Sequence, residues 1–212
     1  MNGLVNNIWF FGSSNTTYWD TTHQWTRDYI KFCGYTPKHF TEILSEKLNL
    51  NLINKGIGAT DNYTIFETIL NNIENIKDGD MVVVDWVSIL RFRVVDNNKF
   101  KTIISTDGLT EIAFLSKNTM NEILINRDSI LYVNEVIHWS NLLKKIFKKN
   151  IIFWSSFKEF KNHSDIIHMN SGVLNFNILN ETNGYIKDFH LGKSGHIELA
   201  NRLHSKFLNN II

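Results

Sequence analysis

The run Met81-Val82-Val83-Val84-Asp85-Trp86-Val87 constrains this chain more than any other stretch. Its β-branched residues follow one another without polar alternation, the pattern of a strand buried on both faces. Gly79-Asp80 marks a turn just before it. Other apolar runs, at 8–11, 50–53 and 151–154, alternate with stretches of helical spacing. That alternation predicts βα units and a parallel sheet.

The helical stretches are distinct. Thr36-Pro37 reads as an N-cap with proline at the first helical position. Phe40, Ile43, Leu44 and Leu48 follow it on one face. Ile65, Phe66, Ile69, Leu70 and Ile73 mark a second helix, 129–149 a long third, and 194–208 a last one carrying Ile197, Ala200, Leu203 and Phe207. Residues 16–35 and 91–127 do not fit a minimal βαβ repeat and read as insertions, either lids or peripheral cover. With 212 residues and no low-complexity linker or repeat, one domain spanning 1–212 is expected.

Composition narrows the classes of function. The net charge is +1, which gives no pull toward nucleic acid or an acidic membrane. The single Cys33 forms neither an internal disulfide nor a cysteine-rich metal site. No apolar span approaches a membrane helix and no leader pattern opens the chain, so the expected location is cytoplasmic, or secreted where a leader has been removed. His163 and His168 are five apart around Asp165, not one helical face, and no metal site is expected there.

Open α/β sheets bind ligands beyond the carboxyl ends of their strands. Three expected strand-end loops carry small polar residues: Gly12-Ser13-Ser14-Asn15, Asn54-Lys55-Gly56-Ile57-Gly58 and Asp85-Trp86-Val87-Ser88. Asp188-Phe189-His190 lies just before the last helix. Acyl transfer needs a hydroxyl, a base oriented by a carboxylate, and N–H donors about 3 Å from the developing oxyanion. Ser14, His190 and Asp188 are candidates for the first three, and the N–H groups of Ser14 and Gly56 for the donors. Taken singly, a Gly-Ser turn is also an ordinary turn and Asp-x-His an ordinary surface pair.

Taken in order, these segments resemble the SGNH, or GDSL-type, hydrolase family over nearly the whole chain. FGSSNT is similar to that family's first block, which makes Ser14 the nucleophile. Asn54-Lys55-Gly56 is similar to the second, whose glycine N–H is an oxyanion donor. VVVDWVS is similar in position to the third, and its third donor falls at Ser88. Asp188-Phe189-His190-Leu191-Gly192 is similar to the last, with His190 as base. The sequence departs from the family at four places. Ser13 replaces an aspartate, and Ala59 stands where a further glycine is usual. Ser88 replaces an asparagine, and Lys187 occupies the usual acid position, leaving the acid to Asp188.

The resemblance and the pattern together predict a three-layer α/β/α sandwich with a mainly parallel, flavodoxin-like sheet. They imply a serine esterase acting on small acyl esters, with O-acetyl groups on carbohydrate as one such class and no cofactor or metal. An acyltransferase using the same serine and a non-catalytic binding domain are the alternatives. Arg91, Trp19 and Trp86 are the expected substrate contacts. Arg91 serves an anionic substrate group or stands as an exposed strand-end arginine. Trp19, Trp25 and Tyr18 stack on a sugar or pack as core or lid aromatics. His196 and His204 are expected to pack or to face solvent.

Overall fold

The computed structural model describes residues 6–89, 91–96, 99–104, 129–148, 150–169 and 175–211. Five strands form one parallel sheet: β1 (Asn7–Phe11), β2 (Asn51–Asn54), β3 (Met81–Asp85), β6 (Ile151–Ser155) and β7 (Ile166–His168). Their order is β2-β1-β3-β6-β7. A separate antiparallel hairpin, β4 (Arg91–Asp96) and β5 (Lys99–Ile104), follows β3. With the hairpin set aside, the sheet has the flavodoxin-like order, and it reverses direction between β1 and β3.

Alternation along the strands builds two cores. Ile8, Phe10, Met81, Val83, Ile152 and Trp154 face one side. There they meet Phe40 and Leu44 of α2 (Phe40–Leu48) and Leu199, Leu203 and Phe207 of α6 (Lys193–Ile211). Trp9, Phe11, Val82, Val84 and Phe153 face the other. Their partners are Ile65 and Ile69 of α3 (Asn62–Leu70) and Val136 and Leu143 of α4 (Ser129–Phe147). The result is a three-layer α/β/α sandwich, with a short helix, α5 (Ile178–Glu181), preceding α6. Asp80 anchors the amino end of β3, accepting from the Asn7 N–H at 2.8 Å and from Trp9 Nε1 at 2.9 Å.

Several local expectations need correction. The helix expected to start after Thr36-Pro37 begins at Phe40, capped by His39. The His39 ring accepts from the Thr41 N–H, and Glu42 Oε2 accepts from the His39 N–H at 2.7 Å. Residues 16–35 contain a regular helix, α1 (Gln24–Cys33), which Gly34 ends in the left-handed region at φ 77. β7 lies inside NHSDIIH, where no strand was expected. MVVVDWV leaves the sheet at Asp85, so Trp86 to Ser88 form a loop. Of the insertion expected over 91–127, residues 91–96 and 99–104 form the hairpin and the rest lies outside the described residues. No helix among the described residues is long and apolar enough to cross a membrane.

Candidate active site

At the carboxyl end of β1, beside the point where strand order reverses, the chain turns sharply through Gly12 to Thr17. The N–H groups of Thr16 and Thr17 both donate to the Ser13 carbonyl at 2.9 Å. The floor of the turn is Asp85, the last residue of β3. Its carboxylate accepts from Thr16 Oγ1 at 3.1 Å and from the Ser13 N–H. Burial pushes the Asp85 carboxyl up to about 7, against the pull of the Thr16 hydroxyl, the Arg91 charge and the Ser13 N–H. A Cβ on Gly12 would meet Thr16 Oγ1 and the Asp85 Cβ, so only glycine fits between strand and turn.

This packing separates the two serines. Ser13 is 2% exposed and its Oγ accepts from Arg91 Nη1 at 3.1 Å. Ser14 is half-buried and faces a cavity of about 490 Å³. Its hydroxyl has no hydrogen-bond partner among the described residues.

His190 opens onto the same cavity. Its Nδ1 lies 2.8 Å from Asp188 Oδ1, and the same oxygen accepts the His190 backbone N–H at 2.8 Å. The two-residue spacing therefore lets Asp188 orient the ring. The segment is clamped by backbone bonds: the N–H groups of Ile178 and Leu179 donate to the His190 and Asp188 carbonyls at 2.9 and 2.8 Å. Glu181 fastens the start of α6, accepting from the Lys193 N–H at 3.0 Å, the Ser194 N–H at 2.8 Å and the Tyr29 hydroxyl of α1. Trp25, also from α1, stacks flat on the His190 ring at 4.6 Å between centroids. The inserted helix thus braces the His190 ring.

Arg91 and Trp19 also line the cavity, and Trp19 Nε1 donates to the Pro37 carbonyl at 2.7 Å. Three other candidates move elsewhere. The Gly56 N–H donates to the Asn54 side chain at 2.8 Å, so it is not an oxyanion donor. Glycine is needed there because a Cβ would lie 2.8 Å from the backbone of Thr16 and Thr17. Ser88 Oγ donates to Glu159 Oε1 at 2.6 Å, away from the cavity lining. Trp86 is fully buried with its Nε1 on Ser140 Oγ at 3.0 Å, a core residue and not a substrate contact. Asn62 holds the loop between them, its side chain pairing with the Val87 N–H and carbonyl, both at 2.8 Å.

Sequence reasoning gave no role to three residues here. Ala59 sits on the cavity wall in the left-handed region at φ 55, and its N–H donates to no described group. The missing glycine of the second block was the available signal for it. His39 and His196 line the inner wall with rings 4.3 Å apart. Burial drives His39 down to about 3, although its bond to the Asn15 carbonyl opposes this. Burial, with the charges of His39 and His190, drives His196 well below the ordinary range. Both are neutral struts: His39 Nδ1 accepts from the Thr41 N–H and His196 Nδ1 from the Phe40 N–H at 3.3 Å. The third is Asp85, placed by the sequence in a polar strand-end loop but given no role there; His196, expected to pack or to face solvent, packs.

Comparison with protein-family models finds no match for this chain, and comparison with curated proteins finds none either. Function is therefore read from the residues at the cavity.

Proposed function

We propose that the protein is a serine esterase of the SGNH type, acting on small acyl esters such as O-acetyl groups on carbohydrate. One observation carries this reading: the Ser14 hydroxyl, without a partner among the described residues, and the His190 ring, bonded to Asp188, open onto one cavity at the strand ends. His190 Nε2 takes the Ser14 proton as Oγ attacks the ester carbonyl, while Nδ1–H donates to Asp188 and holds the tautomer. The N–H groups of Ser14 and Ala59 hold the oxyanion, replacing the set expected from Gly56 and Ser88. His190 then protonates the leaving alcohol, and water releases the acid from the acyl-enzyme by the same steps reversed. Trp19, Trp25 and Tyr18 supply the aromatic wall against which a sugar face or acyl chain packs.

A fluorophosphonate probe tests the reading directly. It should label wild-type protein at Ser14 and leave Ser14→Ala unlabelled. A second reading, a ligand-binding domain without catalysis, is favoured by the diversion of Gly56 and Ser88 to structural bonds. Wild-type protein that neither takes the label nor cleaves p-nitrophenyl acetate would establish that second reading instead. Product partition with a sugar acceptor present separates hydrolysis from acyl transfer to an alcohol.

A further inference from the structure

Arg91 is not the exposed strand-end residue that its position after β3 suggested. It is half-buried on the wall that also presents Ser14 and His190. Its Nη1 donates to Ser13 Oγ at 3.1 Å and to the Thr60 carbonyl at 3.5 Å, and the Phe157 ring centre lies 5.8 Å from its Cζ. All three contacts are neutral. Among the described residues no carboxylate stands within ion-pair distance of the guanidinium. Asp85 feels its charge, but the Asp85 carboxylate already accepts from Thr16 Oγ1 and the Ser13 N–H. Asp20 also lines the cavity but is exposed. Its Oδ1 accepts from the Thr22 N–H and hydroxyl, and His23 Nε2 lies 3.5 Å from its Oδ2.

A guanidinium carries five N–H donors in a planar fork, and withdrawing it from water without a paired anion is costly. Bracing the Ser13 hydroxyl uses one nitrogen and needs no charge. The remaining donors of Arg91 have no partner among the described residues, and they stand one residue away from the Ser14 hydroxyl. We propose that Arg91 seats a carboxylate of the substrate, so that the ester attacked by Ser14 carries an anionic group close to its scissile carbonyl. The fork suits a carboxylate in bidentate contact. The proposal rests on the serine-hydrolase reading of the cavity and adds the substrate's charge to it.

Two probes of one shape separate charge from shape: 4-acetoxybenzoate and the neutral 4-acetoxybenzamide. Titration calorimetry on Ser14→Ala, which holds them without turnover, should give the acid a dissociation constant at least tenfold below that of the amide. The ratio should shrink in high salt, fall to within twofold in Ser14→Ala/Arg91→Met, and survive in part in Ser14→Ala/Arg91→Lys. Equal binding of acid and amide by Ser14→Ala overturns the proposal, and so does a preference that persists in the Arg91→Met background. Should the methionine variant not fold, the acid-to-amide ratio and its salt dependence in Ser14→Ala decide the matter. Turnover distinguishes this failure from failure of the esterase reading. Wild-type enzyme that cleaves both probes with equal kcat/KM keeps the esterase and loses the carboxylate seat. Preferential binding of the acid without turnover keeps the seat and removes the esterase. An equal loss of kcat for both probes in Arg91→Lys, with no binding preference, would place the guanidinium on the oxyanion and overturn the seat.

Discussion

At the scale of single residues, the site depends on which polar groups are left free. Of the two adjacent serines, one is consumed by Arg91 and buried, while the other keeps an unpartnered hydroxyl toward the cavity. The acid is placed with equal economy, one oxygen of Asp188 serving both the ring and the backbone of His190. Asp188→Asn should therefore lower kcat on p-nitrophenyl acetate by about 10³- to 10⁴-fold, because an amide does not hold the required tautomer. A rate within twofold of wild type would remove Asp188 from the mechanism. The meeting of Ser14, His190 and Asp188 at one place was legible because hydroxyl, imidazole and carboxylate have few chemical substitutes. Gly56 and Ser88 were misread for a physical reason. Whether an N–H or hydroxyl is available depends on its neighbours in space, here Asn54 and Glu159, and no spacing along the chain encodes that.

At the scale of elements, the sequence was clearest where burial is two-sided. The valines of β3 and the helical faces of α2, α3 and α6 were readable because periodicity follows from the layers they must join. β7 escaped because three residues at a sheet edge carry too little pattern. α1 escaped because, of its residues, only Thr26 and Tyr29 are buried. The start of α2 was misplaced because histidine is an unusual cap, while Thr36-Pro37 offered a conventional one. The turn after β1 gives the sharpest test at this scale. Gly12→Ala must push Thr16 or Asp85 aside, and overpacking of this kind costs about 1–3 kcal/mol. Its melting temperature should fall by about 2–12 °C, with a loss of fluorophosphonate labelling beyond what unfolding explains. Gly58→Ala, where a Cβ meets nothing within 4 Å, should leave stability within about 0.5 kcal/mol of wild type. Equal melting temperatures for the two variants would show that the turn tolerates a methyl group.

At the scale of the whole molecule, buried titratable groups set the response to pH. The unfolded chain protonates His39 and His196 once pH falls below about 6.5, whereas the folded chain resists, His39 down to about 3. Their contribution is complete at neutral pH and is lost on acidification. Asp85 acts in the opposite sense. Its folded value of about 7 lies above the ordinary 3.8, so it favours the fold fully below 3.8 and loses that contribution as pH rises through 7. With two histidines against one carboxyl, urea melts should show a net loss of stability from pH 6 to pH 4. His39→Asn keeps a capping side chain but removes the buried ring. It should lower stability at pH 7 by about 1–2 kcal/mol and flatten the acid slope. An unchanged slope would mean that His39 titrates normally in the fold.

The parallel order of the sheet also bears on how the molecule is made. β1 is the second strand in space but precedes both its sheet neighbours in sequence, and the turn bearing Ser14 finds its floor only when β3 supplies Asp85. His190 follows all five strands in sequence, and α6, which comes after it, closes the same core as α2. The proposed activity therefore requires β1, β3 and the segment before α6 in one folded unit. A polypeptide cut before Asp188 would present the Ser14 hydroxyl without the His190 ring, so fluorophosphonate labelling should be lost in it.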